Sequence, residues 1–267
     1  MDSKKLAKNV RKDVLIMTSN AKANHIASIL SIVDIVSVLY TKVMNYDVKN
    51  PLSPIRDRFI LSKGHAGACV YATLAELGFF DKAKLNEYYS KEGTSLSGHV
   101  THKGNPGVEF STGSLGHGVS VAVGSALAGK MDNSSYNVYT IAGNGECNEG
   151  SIWEAIMVAV QNRLDNFVLI VDHNRMQCMG KSKGIIDQEN LGERFESFGA
   201  KVVEVDGHNH ELLARALQTK HKNKPLVVIA HTIKGKGVSF MENNNAWHSA
   251  FAQGEQLVQA IKEVEEA

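Results

Sequence analysis

Cysteine and proline are scarce, at three and four in 267 residues. Cys69, Cys147 and Cys178 are odd in number and lack metal-ligand spacing, which excludes a disulfide scaffold and a zinc module and fits reduced thiols. Long apolar runs are missing as well. The nearest, Ile26 to Tyr40, is interrupted by Ser28, Ser31, Asp34 and Ser37, so no membrane span is expected. The amino-terminal Met-Asp-Ser-Lys-Lys-Leu-Ala-Lys lacks the apolar stretch of a signal peptide, and a cytoplasmic location is expected. Charge of one sign is not in excess: 29 Lys and Arg face 28 Asp and Glu, which argues against a nucleic-acid-coating protein. What is present is 43% apolar and 21% charged residues, enough for a packed core and too apolar for wholesale disorder. With no internal repeat, low-complexity tract or long linker, a single domain over 1–267 is expected.

The pattern along the chain is alternating. Two helical pieces over the first 45 residues break around Asn20 to His25, and Ile26 to Tyr40 reads as a buried helix because it is apolar nearly all round. Strands are expected at Asp57–Ser62, Tyr136–Ala142, Asn166–Asp172, Lys201–Val205 and Pro225–His231. Helices are expected at Gly64–Leu77, Gly118–Lys130, Ser151–Arg163, Gln188–Phe198, His208–Lys220 and, amphipathic, Gly254–Glu265. Glu92 to Gly118, with seven glycines, reads as a long functional loop. This alternation predicts an α/β fold, doubly wound, with a mostly parallel sheet and helices on both faces. Chemistry is then expected at the carboxyl ends of the strands.

One motif stands directly after a strand. Gly143-Asn144-Gly145-Glu146 allows a sharp turn whose N–H groups can meet an anion. Asn174 follows the next strand thirty residues on, and a right-handed crossover brings both strand ends to one edge of the sheet. Their side-chain oxygens and a free carbonyl could hold a hard divalent ion bridging a diphosphate. Taken alone, a Gly-x-Gly is better explained by a simple turn, and it is the pairing with Asn174 that weakens that explanation.

The run from Gly143 to Asn174 resembles the thiamine-diphosphate motif. More narrowly, Gly143-x-Gly-Glu-Cys-x-Glu-Gly-Ser-Ile-Trp-Glu-Ala155 resembles the amino-terminal part of transketolases, especially the subunit of two-chain members. The likeness continues in Ser62-Lys-Gly-His-Ala66, Gly107-Val-Glu-Phe-Ser-Thr-Gly-Ser-Leu-Gly116, Val205-Asp-Gly-His208, Thr232-Ile-Lys-Gly-Lys-Gly237 and Ala246-Trp-His248. It implies that His25, His65, His99 and His248 are catalytic, with His65 and His248 near the cofactor. It further implies that Gly113, Ser114 and Leu115 flank the aminopyrimidine, and that Gly143, Gly145, Glu146 and Asn174 hold the diphosphate. Asn144, Asn174 and the carbonyl of Met176 would be the metal ligands. Imidazole suits the implied chemistry, because ketol transfer moves protons on and off oxygens near neutral pH. Glu149 matches a family glutamate tied to communication between paired sites, and is equally a carboxylate at a helix amino terminus. His102, His173, His208, His210, His221 and His231 read as structural or surface residues.

The implied activity is transfer of a two-carbon ketol unit between sugars or sugar phosphates. The implied cofactors are thiamine diphosphate and Mg2+, with Ca2+ or Mn2+ as possible substitutes. A pyrimidine-binding domain with its activating glutamate is absent from these residues, so the implied partner is a separate carboxyl-terminal subunit, in an α2β2 heterotetramer. The sequence also departs from the family. Asn144 replaces the usual Asp and lacks its charge, His117 replaces a glutamine, and Asn24 replaces a glycine. Asn144 leaves open a scaffold or regulatory subunit. Other thiamine-dependent enzymes, such as deoxyxylulose-phosphate synthase, fit the Glu146–Glu154 segment and Trp247-His248 less well.

Overall fold

The sheet is made mainly of strands buried on both sides, as a sheet covered on two faces requires, with a more open, charged strand at one edge. In the computed structural model, which describes residues 2–267, these are β1 (Arg58–Leu61), β2 (Val138–Gly143), β3 (Phe167–His173), β6 (Lys201–Asp206) and β7 (Leu226–His231). All pair in parallel, in the order β1-β2-β3-β7-β6. A two-stranded hairpin, β4 (Met176–Gln177) and β5 (Gly180–Lys181), stands apart. Alternate strand residues enter two separate cores. Leu61, Ile141, Ile170 and Val228 point to one, and Ile60, Ala142, Leu169 and Val227 to the other.

Helices cover both faces. The first core packs under α1 (Ser3–Ala21), α2 (Ile26–Leu30), α3 (Val33–Val38), α4 (Gly67–Glu76), α5 (Lys84–Tyr88), α9 (His210–Leu217) and α10 (Glu255–Glu266). The second packs under α6 (His117–Met131), α7 (Gly150–Gln161) and α8 (Leu191–Ser197). The expected doubly wound architecture is therefore the observed one. Asp2 and Asn209 cap α1 and α9 by accepting two main-chain N–H groups each.

The segment Ile26 to Tyr40 is buried as expected but is not one helix. The Ser28 carbonyl accepts from the Lys63 ammonium at 3.1 Å and from the Ser31 hydroxyl at 3.0 Å. The Ile32 N–H, which would have bonded it, turns to Ile29 O instead, and the helix breaks between α2 and α3. Ile26–Val43 has a mean hydropathy of 1.8, yet 83% of it is buried inside the protein, a core segment rather than a span.

Small residues on α6 bring it close to the chain beside it. A Cβ on Gly118 would lie 2.6 Å from Ser62 Cα, main chain that cannot swing aside. Gly118→Ala is expected to cost about 1–3 kcal/mol through overpacking, read as a lower urea midpoint at unchanged slope.

Candidate active site

The carboxyl ends of β1, β2, β3 and β7 deliver their following residues to one edge, where a cleft of about 380 Å³ opens. Its floor is a fully buried ion pair. Lys63 Nζ lies 2.5 Å from Asp172 Oδ2, with the two side chains 2% and 0% exposed. That oxygen also accepts from Ser31 Oγ at 2.7 Å and Asn174 Nδ2 at 3.0 Å, and Thr232 Oγ1 donates to Oδ1. Burial pushes the Asp172 carboxyl up, but the Lys63 charge and these donors outweigh it and hold the group below its ordinary range. One carboxylate thus ties together segments following β1, β3 and β7 and the α2–α3 break.

At one end of the cleft lie Asn144, Gly145, Asn174 and Met176. Asn144 Nδ2 donates to Ser182 Oγ at 2.7 Å and Gln188 Oε1 at 3.1 Å, while Oδ1 faces Asn174 Oδ1 and the main-chain oxygen of Asp172, both at 3.2 Å. In this orientation of the Asn144 amide the oxygens face one another as ligands of a hard cation would, with Asn174 Oδ1 also accepting from Met176 N–H at 3.0 Å and the Asp172 oxygen from Asn144 N–H at 3.1 Å. The Asp172–Asn174 bond fixes the second amide with its oxygen toward this point. Among the described residues no three His, Cys, Asp or Glu side chains converge as a metal site, so the available donors are amide and carbonyl oxygens. The turn of Gly143 to Gly145 lies beside them and lines the same cleft. Lys234, 2% exposed, reaches the same cleft with only neutral partners, Asn245 Oδ1 at 3.1 Å and Gln177 O at 3.4 Å. Burial and the nearby Lys63 bring its ammonium down to about 8.

At the other end four imidazoles gather. Ring centroids of His25 lie 5.3 Å from His65, 5.8 Å from His99 and 5.1 Å from His248. His25 occupies the left-handed region at φ 76°, uncommon for a side chain larger than glycine, and its N–H donates to His248 O at 2.9 Å. Burial lowers the imidazolium stability of all of His25, His65 and His248; neighbouring cations and imidazoles add to it, and His248 falls to about 4. These rings are neutral at pH 7 and can accept a proton or donate one N–H. In an NMR titration the His248 ring signals are expected to stay put from pH 8 to 5 and move only near pH 4. Movement centred near 6.5 would contradict this environment.

Of the residues singled out by sequence, His25, His65, His99, His248, Gly113, Leu115, Gly143, Asn144, Gly145, Glu146, Asn174 and Met176 line this one cleft. Ser114 is exposed and does not line it. Glu146 is 2% exposed, and its oxygens accept from Ser62 Oγ at 2.5 Å and from the N–H groups of Gly116 and Gly143 at 2.8 and 3.1 Å. It braces two loops rather than presenting a free carboxylate, and burial raises it above the usual range. Glu149, at the cleft mouth, precedes α7 without a side-chain capping bond. His208 and His210 are structural as expected. Ile233 N–H donates to His208 Nε2, so Nδ1–H donates to Asp34, which His210 and Arg11 also hold. Sequence reading missed Lys63, Asp172, Ser182, Gln188 and Lys234. Asp172 did carry a signal, an acidic residue ending an otherwise apolar buried strand, where a charge needs a partner.

Comparison with known proteins places this geometry. Residues 2–265 match the description "Transketolase, thiamine diphosphate binding domain". The chain is 40% identical to one subunit of the apulose-4-phosphate transketolase of Phocaeicola vulgatus, over 96% of this chain and 91% of that one. It is 38% identical to the 6-deoxy-6-sulfo-D-fructose transketolase subunit SqwG of Clostridium sp. (strain MSTE9), over 99% and 97%. The solved transketolase of Campylobacter jejuni superposes with a TM-score of 0.90 at 32% identity, covering 99% of this chain and 43% of that one. The chain thus spans about two-fifths of that longer relative. On the match over 2–265 and the cleft built by the same segments, the chain belongs to the transketolase family, as its thiamine-diphosphate-binding domain.

Proposed function

We propose that this chain is the amino-terminal subunit of a two-chain transketolase, moving a two-carbon ketol unit from a ketose or its phosphate to an aldose. The observation that carries this reading is the meeting, in one cleft, of an oxygen-lined ion site and four imidazoles, three of them shifted toward the neutral form. Thiamine diphosphate, when bound, supplies an acidic carbon and an electron sink for breaking and making the carbon–carbon bond. Asn144, Asn174 and Met176 would hold Mg2+, or Ca2+ or Mn2+ in its place. Gly143, Gly145 and Lys234 would border the diphosphate, Gly145 through its backbone N–H and Lys234 through its charge, while the Gly143 N–H stays on Glu146. Gly113 and Leu115 would border the ring system. His25, His99 and His248 would hold and relay protons at the sugar's hydroxyl and carbonyl oxygens, with His65 closing the wall behind them.

The partner is a separate carboxyl-terminal subunit carrying the activating glutamate. Relatives of this length that are named as single subunits of their transketolases support a second chain. An α2β2 assembly fits exposed Met157 and Val158 on α7, which lies along α6 with its small exposed Ser120 and Gly124. We place it in a reducing cytoplasm, where all three thiols stay free. Calorimetry of the chain with its partner tests the reading. Thiamine diphosphate with Mg2+ is expected to bind at least a hundredfold more tightly than thiamine, since the diphosphate carries the contacts. Equal affinity, or no heat from either, would end it.

A further inference from the structure

The Asn144 side chain, standing where the family resemblance has aspartate, finds partners in both orientations of its amide. In the orientation described above, Nδ2 serves Ser182 and Gln188, and three oxygens are left facing each other. With the amide turned over, Nδ2 donates to Asn174 Oδ1 and to the main-chain oxygen of Asp172, both at 3.2 Å. Oδ1 then accepts from Gly145 N–H at 3.2 Å and from the Ser182 hydroxyl at 2.7 Å. The hydroxyl serves either state by rotating its hydrogen. Gln188 Oε1 loses its donor and faces Asn144 Oδ1 at 3.1 Å, a cost of the turned-over position, while Gln188 Nε2 keeps its bonds to Asn144 O at 2.6 Å and Asn148 Oδ1 at 2.7 Å. The residue is 1% exposed, so water does not substitute for any of these partners. An aspartate could not turn over usefully. It has no hydrogen to offer Asn174 or Asp172, and its carboxylate would face their oxygens unrelieved until a cation arrived.

We propose that Asn144 is a two-position amide switch that closes the ion site on itself, so that this chain takes up a divalent ion only together with a diphosphate. In the closed position the two asparagine side chains and the Asp172 carbonyl satisfy one another. Opening breaks those two bonds, and the neutral oxygens offer the ion no negative charge in return. The diphosphate brings that charge, so ion and anion arrive as a pair. The site thereby discriminates for the metal–diphosphate complex over the free ion, and the apo chain has no need of metal for its fold. The coupling to cofactor rests on the thiamine-diphosphate reading; the closed site does not.

The test is manganese(II) binding by the full 267-residue chain, read from the electron paramagnetic resonance of the free ion, in wild type and Asn144→Asp. Without diphosphate the wild type is expected to leave the ion free into the millimolar range, and to bind it stoichiometrically once thiamine diphosphate is added. Asn144→Asp is expected to bind the ion alone at least tenfold more tightly than wild type. Its melting temperature in EDTA should lie below that of wild type and rise on adding manganese, while that of wild type stays still. Binding of the ion alone within threefold in the two chains, or equal melting temperatures in EDTA, would overturn the switch. No gain from thiamine diphosphate, with the Asn144→Asp contrasts intact, would overturn the cofactor reading and the coupling, and leave the closed site standing. A second measurement does not depend on the variant folding: the Asn144 side-chain amide resonance in wild type should shift with manganese's diamagnetic stand-in, Mg2+, only when diphosphate is present. A shift with Mg2+ alone would overturn the proposal.

Discussion

The 267-residue chain alone, given thiamine diphosphate, Mg2+, a ketose donor and an aldose acceptor, is expected to show no turnover above background. Adding a carboxyl-terminal subunit should raise the rate by about 10²–10⁴-fold, the usual contribution of a positioned general acid or base. The reason lies in how the two buried carboxylates at the cleft are used, the exposed Glu149 standing only at its mouth. Glu146 is spent on Ser62, Gly116 and Gly143, and Asp172 on Lys63 and three further donors. Neither can turn to an aminopyrimidine without breaking the wall it holds. Steady-state rates with and without the partner decide the matter. Full activity of the single chain would refute the division of labour, and tight cofactor binding without turnover in the presence of the partner would mark a scaffold that kept the fold.

A second large effect is expected from breaking the buried ion pair. Lys63→Met leaves the Asp172 carboxylate uncompensated at 0% exposure, and Asp172→Asn leaves the Lys63 ammonium so. Each single change should cost about 3–5 kcal/mol, the usual penalty for orphaning a buried charge. The double variant removes both charges and should recover at least half of that loss, because the desolvation penalty disappears with them. Denaturant unfolding of all four chains gives the coupling directly. Additive losses in the double variant would show that the two residues act independently, contrary to the geometry.

The frame was legible because it rests on patterning. Continuous apolar runs such as Phe167–Val171 announce covered strands, and the intervening ten- to fifteen-residue helices force a parallel sheet. Strand and helix ends agreed to within about three residues, as at Gly118–Lys130 against His117–Met131. What patterning cannot see is a long-range capture of one carbonyl. The break after Leu30 depends on Lys63, and its partner Asp172 lies over a hundred residues further on, so Ile26 to Tyr40 reads as one helix from sequence. The short α5 and the β4–β5 hairpin fall below the length at which a period can be counted. At the cleft, residues within recognisable motifs were found, whereas the Asn144 partners Ser182 and Gln188 sit in a stretch with no motif and are joined to it only by folding. Glu146 was visible as a residue but not as a brace, since its role depends on where the Gly116 and Gly143 N–H groups end up.

The most apolar part of the chain, Ile26–Val43, is synthesised early and sheltered late. Its cover includes β3 and β7, and the last of these ends at His231. At ribosomal rates of about 5–20 residues per second, it waits roughly ten to forty seconds in the open. A nascent chain with that exposure is a natural client for holdase chaperones, and its yield in a cell should track their supply more closely than the stability of the finished fold.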